Sequence, residues 1–218
     1  INIMNNEIII EVNEVFKKYD DATVLDNVSL EIEKGKIYGL VGRNGSGKTV
    51  LMKCICGLIK PTSGEVKVAG KTVGKDVDIP EDIGVIIETP GFIPNYSGFK
   101  NLKLLASVRN KISNEEIRKS MEIVGLEPKS RKHVGKYSLG MRQKLGIAQA
   151  IMEKPKILIL DEPMNGLDNE SVAVVRKILK EQAENGATII LASHNREDID
   201  VLCDKVYTMD HGVIECER

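Results

Sequence analysis

The sequence lacks several features that would each indicate a particular class of protein. It contains no tryptophan, and aromatic residues make up only 4% of it. Its four cysteines have neither the spacing of a zinc site nor the density of a disulfide scaffold, so we expect reduced thiols in a cytosolic setting. The formal net charge is -1 at pH 7, and this balance gives no indication of nucleic-acid binding.

Long apolar runs are also missing. The longest, residues 157–160 and 189–192, have the length of strands and fall far short of the roughly 20 residues that a membrane helix needs. Residues 1–7 lack the basic and apolar segments of a signal peptide. We therefore expect the 218 residues to form a single compact domain, residues 1–218, that neither spans a membrane nor carries an export signal.

The most informative stretch that is present is GRNGSGKT, residues 42–49. It matches the phosphate-loop pattern G-x-x-x-x-G-K-[ST] at every fixed position, and the apolar residues 37–41 before it predict a buried strand. Glycines allow successive backbone N–H groups to surround phosphate oxygens, and the helix predicted after the loop adds its positive end. A glycine-rich turn that binds nothing is the alternative, and the complete pattern argues against it.

The sequence therefore predicts binding of a nucleoside triphosphate. Within the loop, Lys48 is expected to contact the β- and γ-phosphates, and the Thr49 hydroxyl to bind Mg²⁺. The predicted nucleotide-binding residues of this stretch are Gly42, Arg43, Asn44, Gly45, Ser46, Gly47, Lys48, Thr49 and Val50.

The rest of the chain falls into three parts. Residues 7–12 and 24–32 alternate apolar and polar residues, which predicts an antiparallel β layer ahead of the loop. Residues 98–125 show helical spacing, and with a helix over 138–151 they predict a separate helical lobe, about 98–150. After Pro155, strands and helices alternate, which is typical of a mostly parallel sheet with ligands at the carboxyl ends of its strands.

Three polar side chains follow predicted strands of that sheet. Asp161 and Glu162 come directly after residues 157–160; we expect Asp161 to hold Mg²⁺ and Glu162 to accept a proton from an attacking water. His194 follows the next strand and is expected to donate a hydrogen bond to the γ-phosphate. An acidic pair in a turn and a structural histidine are the ordinary alternatives, and the phosphate loop upstream favours the catalytic interpretation.

These motifs, in this order, resemble the ATP-binding subunits of ATP-binding-cassette (ABC) transporters over essentially the whole chain. The resemblance implies a P-loop NTPase α/β fold with a RecA-like core, residues 1–90 and 155–218, that binds ATP and Mg²⁺. It also implies that Tyr19 stacks on adenine, although a tyrosine covering a sheet edge would explain its position too. Residues 137–141, YSLGM, are similar to the signature motif, in which Ser138 and Gly140 contact the γ-phosphate on a partner subunit; residues 165–168 are similar to the D-loop.

The sequence departs from the family pattern at two motifs. Leu139 and Met141 replace a glycine and a glutamine of the signature, and Glu88 stands where the family has the Q-loop glutamine. A glutamate oxygen can still bind Mg²⁺, so Glu88 is a third expected metal ligand. The glutamate and the TPGF sequence after it are similar to exporters that confer bacitracin resistance or lantibiotic self-immunity.

The resemblance further implies two partners. One is a second copy of the chain, in a head-to-tail dimer that encloses ATP. The other is a transmembrane permease on the inner face of the cell membrane, docked near residues 88–98, where Phe92, Ile93, Tyr96 and Phe99 supply either an apolar seat or core packing. A soluble cassette ATPase acting on nucleic acid or ribosomes is the alternative. A GTPase-like switch is disfavoured because no Asn-Lys-x-Asp motif is present.

Overall fold

The computed structural model describes residues 7–217 and shows an α/β architecture built from two sheets and a group of helices. The elements, in chain order, are β1 (Ile8–Tyr19), β2 (Ala22–Glu33), β3 (Ile37–Val41), α1 (Lys48–Ile55), β4 (Ser63–Val68), β5 (Lys71–Thr72), β6 (Ile83–Ile86), α2 (Gly98–Arg109), α3 (Asn114–Ile123), a short 3-10 helix (Val134–Lys136), α4 (Leu139–Ile151), β7 (Ile157–Asp161), α5 (Asn169–Glu184), β8 (Thr188–Ala192), α6 (Arg196–Leu202), β9 (Lys205–Asp210) and β10 (Val213–Cys216). Within this described range, no helix is long and apolar enough to cross a bilayer.

The larger sheet has six strands in the order β10-β9-β3-β8-β7-β6, and all but β10 pair in parallel. Its central strands are buried on both faces. In β7, Ile157 and Ile159 face one hydrophobic cluster, whereas Leu158 and Leu160 face the other. Because successive side chains of a strand point to opposite faces, a strand covered on both sides is an uninterrupted apolar run, which is how this strand was predicted.

The smaller sheet is antiparallel, with strand order β2-β1-β4-β5. Its apolar face packs on α1, which contributes buried Leu51, Met52 and Ile55 to the same cluster as β3, β7 and β8. The helix that follows the phosphate loop is therefore enclosed between the two sheets. This packing holds the loop at a fixed position over the carboxyl ends of the parallel strands.

Glu33 connects the two sheets at the end of β2. Its carboxylate pairs with Lys36 and, at 2.5 Å, with Lys205 on β9. The hydrogen bond from Lys205, followed by that from Lys36, lowers the pKa of Glu33 to about 2. The pair thus keeps the end of the β layer close to the parallel sheet over the neutral and mildly acidic range.

The helical lobe consists of α2, α3 and the first part of α4. Leu102, Ile117, Met121 and Leu145 are fully buried between these helices. Each helix begins with a serine whose hydroxyl accepts a backbone N–H of the first turn: Ser97, Ser113 and Ser138. The elements expected from helical spacing are therefore present.

Three features of the strands differ from the sequence expectations. Strands β1 and β2 are each 12 residues long, and Tyr19 is the last residue of β1 rather than part of a loop. Register shifts in the β1–β2 pair explain the shorter estimate, because they interrupt the alternation of apolar residues. Strands β5 and β10 were not predicted; they have two and four residues, and neither contains a buried residue.

Candidate active site

The phosphate loop joins β3 to α1 and owes its shape to glycines. Gly42 and Gly47 have φ values of 151° and 109°. A Cβ on Gly42 would lie 2.2 Å from the Met209 carbonyl oxygen, and one on Gly47 would lie 2.8 Å from the Val24 carbonyl oxygen. Neither position can accept a side chain, because the neighbouring atoms belong to the backbone.

Lys48 is buried beneath this loop. Its Nζ donates to the carbonyl oxygens of Gly42 at 2.7 Å and Arg43 at 3.0 Å. Burial lowers the pKa of Lys48, while the negative charges of Glu162 and Asp161 act in the opposite direction. A desolvated ammonium group fixed between loop carbonyls and two carboxylates is well placed to attract an anion.

A cavity of about 460 Å³ opens over the loop. Its lining combines phosphate-loop residues with side chains from the ends of β6 and β7 and from the start of α4. Among them are Asn44, Lys48, Thr49, Glu88, Gln143, Asp161, Glu162 and Asn165. The cavity therefore has a cationic wall and an acidic wall, as a site for a phosphate group and a metal ion requires.

Thr49 and Asp161 come together across this cavity. The Thr49 hydroxyl, in the first turn of α1, donates to Asp161 Oδ2 at 2.6 Å. Asp161 is the last residue of β7, so the strand itself brings the carboxylate to the helix. A hydroxyl and a carboxylate oxygen in contact are hard oxygen donors of the kind that Mg²⁺ prefers.

Glu162 has a left-handed backbone conformation, with φ of 50°. Three contacts fix it: its N–H donates to the Ala192 carbonyl at 2.9 Å, Gln143 Nε2 donates to its carbonyl oxygen at 3.2 Å, and Gln143 also donates to the Pro163 carbonyl at 2.9 Å. The end of β7 is thereby tied to both β8 and α4.

His194 contacts Glu162 directly, because its Nδ1 lies 2.7 Å from Glu162 Oε2. The residue before it, Ser193, accepts the Asn195 N–H at 3.1 Å and donates to Asp198 Oδ2 at 3.3 Å. Asp198 is only 2% exposed and pairs with Arg176 on α5 at 2.6 Å. An ion pair between a buried aspartate and a partly buried arginine therefore supports the loop that carries the histidine.

Glu88 lines the same cavity but has a cationic partner. Its Oε1 lies 2.5 Å from Lys53 Nζ on α1, and its backbone is left-handed with φ of 59°. The carboxylate is thus held by a lysine on the same cavity that Thr49 and Asp161 line. The role of Glu88 as a metal ligand stays a prediction.

Of the signature residues, Leu139 lines the cavity, whereas Ser138 and Gly140 lie beside it. Ser138 begins α4, and its Oγ accepts the Met141 N–H at 3.2 Å. Gly140 approaches the D-loop so closely that a Cβ would lie 3.1 Å from the Gly166 carbonyl oxygen. Leu139, which replaces the family glycine, packs on Gly166, and this contact gives the substitution a structural role within the chain.

Tyr19 and the four apolar residues near the Glu88 loop have mixed environments. Tyr19 is 43% exposed, with Lys17 Nζ 4.8 Å from the ring centroid, so its ring is available for stacking. Phe92 and Phe99 pack against the core, whereas Ile93 is exposed and Tyr96 lies under Lys100. Core packing therefore accounts for the two phenylalanines.

Sequence reasoning missed Gln143, Arg176, Ser193 and Asp198. Gln143 and Arg176 act through contacts between residues far apart in the chain, with the Pro163 carbonyl and with Asp198, whereas Ser193 and Asp198 contact each other five residues apart. Gln143 is one of several polar residues of its helix, and its position in the sequence alone gives no signal. The role of Gln143 becomes visible only when α4 is seen to pack beside the end of β7.

The fold and the site together define an ATP-binding cassette. The sequence matches the ABC transporter family over residues 25–165, and the chain belongs to this family as an ABC transporter ATPase. The α/β fold and the ATPase class predicted from the sequence are confirmed.

Within this family, the chain is similar to particular ATP-binding proteins. The chain is 48% identical to the ABC transporter ATP-binding protein YybJ of Bacillus subtilis (strain 168), over 94% of both chains. It is 43% identical to the bacitracin transport ATP-binding protein BcrA of Enterococcus faecalis, covering 96% of this chain and 69% of the relative. The lantibiotic transport ATP-binding protein SrtF of Streptococcus pyogenes is 36% identical, with coverage of 96% and 90%.

Solved structures agree on the architecture. The dimeric, ADP- and Pi-bound ATP-binding cassette MJ0796 superposes with a TM-score of 0.85, covering 96% of this chain and 99% of that one. At 22% identity, this likeness shows the fold alone. The predicted resemblance to bacitracin and lantibiotic transport ATPases is confirmed by the sequence relatives.

Proposed function

We propose that this chain hydrolyses ATP as one half of a head-to-tail dimer and powers a separate transmembrane permease that exports a peptide antibiotic or another toxic compound. The observation that carries the catalytic part is the contact of Glu162 with His194 at the edge of the phosphate cavity. The support for export comes from the relatives, whose names assign them bacitracin and lantibiotic transport.

The phosphate loop and Lys48 bind the triphosphate. Lys48 exchanges its two carbonyl partners for phosphate oxygens, which are stronger acceptors because they carry full negative charge. The buried Ser46 hydroxyl, which has no hydrogen-bond partner among the described residues, supports this assignment because a phosphate oxygen would satisfy it. Tyr19 stacks on the base at the other end of the nucleotide.

Magnesium fits the residues available at the cavity. Thr49 and Asp161, already in contact, would hold it, with Glu88 nearby on the same cavity wall. When bound, a divalent cation neutralises phosphate charge and increases the electrophilicity of the γ-phosphorus. The chain's own contribution is to orient these oxygens before the ion arrives.

Glu162 is the proposed general base and accepts a proton from the attacking water. The His194 N–H holds one carboxylate oxygen, and Gln143 and Ala192 fix the backbone, which leaves the other oxygen to accept the proton. His194 then positions the carboxylate and donates to the γ-phosphate in the loaded state. The pair of Arg176 with buried Asp198 keeps this histidine loop in place.

The dimer supplies the remaining contacts. Ser138 and Gly140 do not line the phosphate cavity of their own chain, so they are free to contact ATP on a second copy. The nucleotide then acts as a shared ligand that closes the dimer, and loss of the γ-phosphate opens it. This cycle is transmitted to the permease at the inner face of the membrane.

The decisive experiment replaces Glu162 with glutamine. The Glu162→Gln chain should bind ATP with near-native affinity, lose about 100-fold or more of its turnover and accumulate as an ATP-bound dimer in light scattering. Glu170→Gln, an exposed first-turn residue of α5, is the matched control and should change neither property. Unchanged turnover in Glu162→Gln would remove this residue from the catalytic role.

Export is tested in the cell that carries the gene. Loss of the chain should increase sensitivity to bacitracin or a lantibiotic, and the native chain, but not Glu162→Gln, should restore resistance. A pull-down from detergent-solubilised membranes should recover a membrane protein with the native chain. Full resistance without the chain, or recovery of only ribosomes or nucleic acid, would contradict the transport proposal.

A further inference from the structure

Charge is strongly segregated along this nearly neutral chain. Residues 7–33, which form β1, β2 and their turn, contain eight acidic residues and only two lysines. Residues 98–137 of the helical lobe contain ten lysines and arginines and only four acidic residues. The net charge of -1 therefore conceals two regions of opposite sign.

The cationic region is densest just before the signature motif. Residues 128–136, PKSRKHVGK, include no acidic residue, and we name Lys129, Arg131, Lys132 and Lys136 the basic loop. All four side chains belong to exposed residues, and no ion pair to them occurs among the described residues. Lys132 instead reaches the Tyr137 ring, 5.9 Å from its centroid.

The backbone of the basic loop is nevertheless well fixed. Val134 is buried and donates its N–H to the Tyr96 carbonyl at 2.8 Å, and Gly135 donates to the Pro94 carbonyl at 2.9 Å. The loop therefore presents its cations from a rigid support, which reduces the entropy lost when a partner binds.

The acidic region has an equally exposed group beside Tyr19. Asp20 and Asp21 form the β1–β2 turn, and Asp26 lies farther along β2; we name these three the hairpin acids. Across residues 7–217, none of them forms an ion pair. Within the described part of one chain, therefore, the basic loop and the hairpin acids do not form ion pairs with each other.

In the proposed dimer, the shared nucleotide brings the basic loop of one copy near the hairpin acids of the other. If Ser138 of one copy contacts the γ-phosphate and Tyr19 of the other stacks on the base, both lie within the length of one ATP molecule. Lys136 is two residues from Ser138, about 7 Å of extended chain, and Asp20 follows Tyr19 directly. The basic loop of one copy therefore approaches the hairpin acids of the other.

We propose that the basic loop of each copy pairs electrostatically with the hairpin acids of the second copy, and that this pairing sets the head-to-tail orientation and accelerates closure around ATP. The inference rests on the proposed function, since it concerns the same dimer. Complementary charge at a rim acts mainly on orientation and association rate, and it excludes head-to-head contacts in which like charges meet.

A charge-swap experiment in the Glu162→Gln background tests the pairing. One variant reverses the loop with Lys129→Glu, Arg131→Glu and Lys132→Glu; the other reverses the hairpin with Asp20→Lys, Asp21→Lys and Asp26→Lys. Each alone should form the ATP-bound dimer about tenfold more weakly at 50 mM NaCl, and the deficit should shrink at 500 mM because salt screens exposed charges.

The mixture of the two variants is the sharper measurement. In a heterodimer of the two, one interface carries a reversed loop against a reversed hairpin and the other carries the native pair. Both interfaces are then complementary, so sedimentation velocity should show a heterodimer of near-native affinity. The same three-charge reversal at exposed Lys71, Lys75 and Lys180 is the control and should leave dimerisation unchanged.

Each result has a distinct meaning. If the Glu162→Gln chain with native charges never dimerises with ATP, the dimer fails and this inference fails with it. If that chain dimerises and the reversed variants match it, the charge pairing alone is wrong. If the reversed loop weakens dimerisation but the mixture does not recover, the loop contacts the nucleotide or another anionic partner, which also overturns the pairing.

Discussion

At the carboxyl edge of the parallel sheet, functional side chains from different elements contact one another, whereas the signature serine of the helical lobe contacts the first turn of its own helix. Thr49 lies 2.6 Å from Asp161, and His194 lies 2.7 Å from Glu162. Ser138, in contrast, uses its hydroxyl on the first turn of α4. The comparison indicates that the sheet edge is organised within one chain and that the lobe is organised for a second surface.

The difference has a physical origin. Parallel strands end at one edge, and their backbone hydrogen bonds fix which residues become neighbours there. A helix N-terminus leaves backbone N–H groups without intrahelical partners, so it can bind an anion without other side chains. A site at the sheet edge therefore requires residues from several elements, whereas the N-terminus of α4 can bind an anion with its own backbone N–H groups.

The largest expected effect is the loss of ATP binding at the sheet edge. Lys48→Ala removes the one ammonium group that lines the phosphate cavity among residues 7–217. We expect ATP affinity to fall about 100-fold or more, because a charge-assisted contact to phosphate in a desolvated site is lost. Isothermal titration calorimetry measures this change in the monomer.

Lys103→Ala, an exposed lysine on α2, is the control for Lys48→Ala and should bind ATP like the native chain. Retained affinity in Lys48→Ala would contradict the phosphate-loop assignment. It would also remove the contrast between the two regions, since ATP would then bind the monomer without the ammonium group of the sheet edge.

A second, intermediate effect concerns the lobe. Ser138→Ala should leave ATP binding by the monomer unchanged and weaken the ATP-bound dimer of Glu162→Gln about tenfold, because the hydroxyl contact to the second copy's nucleotide is lost. Light scattering over a range of protein concentrations measures the dimer.

Loss of the helix cap is a competing explanation for weaker dimerisation, since removing an N-cap hydroxyl lowers stability by about 1 kcal/mol in any helix. Ser113→Ala provides the matched control: Ser113 caps α3 with the same type of hydroxyl contact, reinforced by Glu116, but it lies away from the cavity. Equal effects of the two substitutions on dimerisation would assign Ser138 a purely structural role.

The same contrast explains which features the sequence could predict. The phosphate loop and the strand before Asp161 were recognisable because local steric and burial requirements dictate their residues one by one. The contacts of Gln143 with Pro163 and of Arg176 with Asp198 were not, because each joins elements whose relative position depends on the whole packed sheet. Strand β1 is an intermediate case: register shifts interrupt its apolar alternation, so the sequence predicted only part of the strand, whereas its pairing with β2 defines the whole of it.

The smallest expected effect lies where the two regions meet, at Glu88. This residue lines the phosphate cavity and pairs with Lys53, but it is largely exposed, so the pair itself contributes little to stability. If its carboxylate assists metal binding, Glu88→Ala should raise the Mg²⁺ concentration for half-maximal ATPase activity about threefold, because fewer charged oxygens surround the ion.

Two further variants separate metal binding from ion pairing. Glu88→Gln keeps an oxygen ligand but loses the charge, so its Mg²⁺ requirement should fall between those of the native chain and Glu88→Ala. Lys53→Met removes the competing cation and should lower the requirement, since the carboxylate is then free to face the metal. Identical Mg²⁺ titrations for Glu88→Ala and the native chain would remove Glu88 from the metal site.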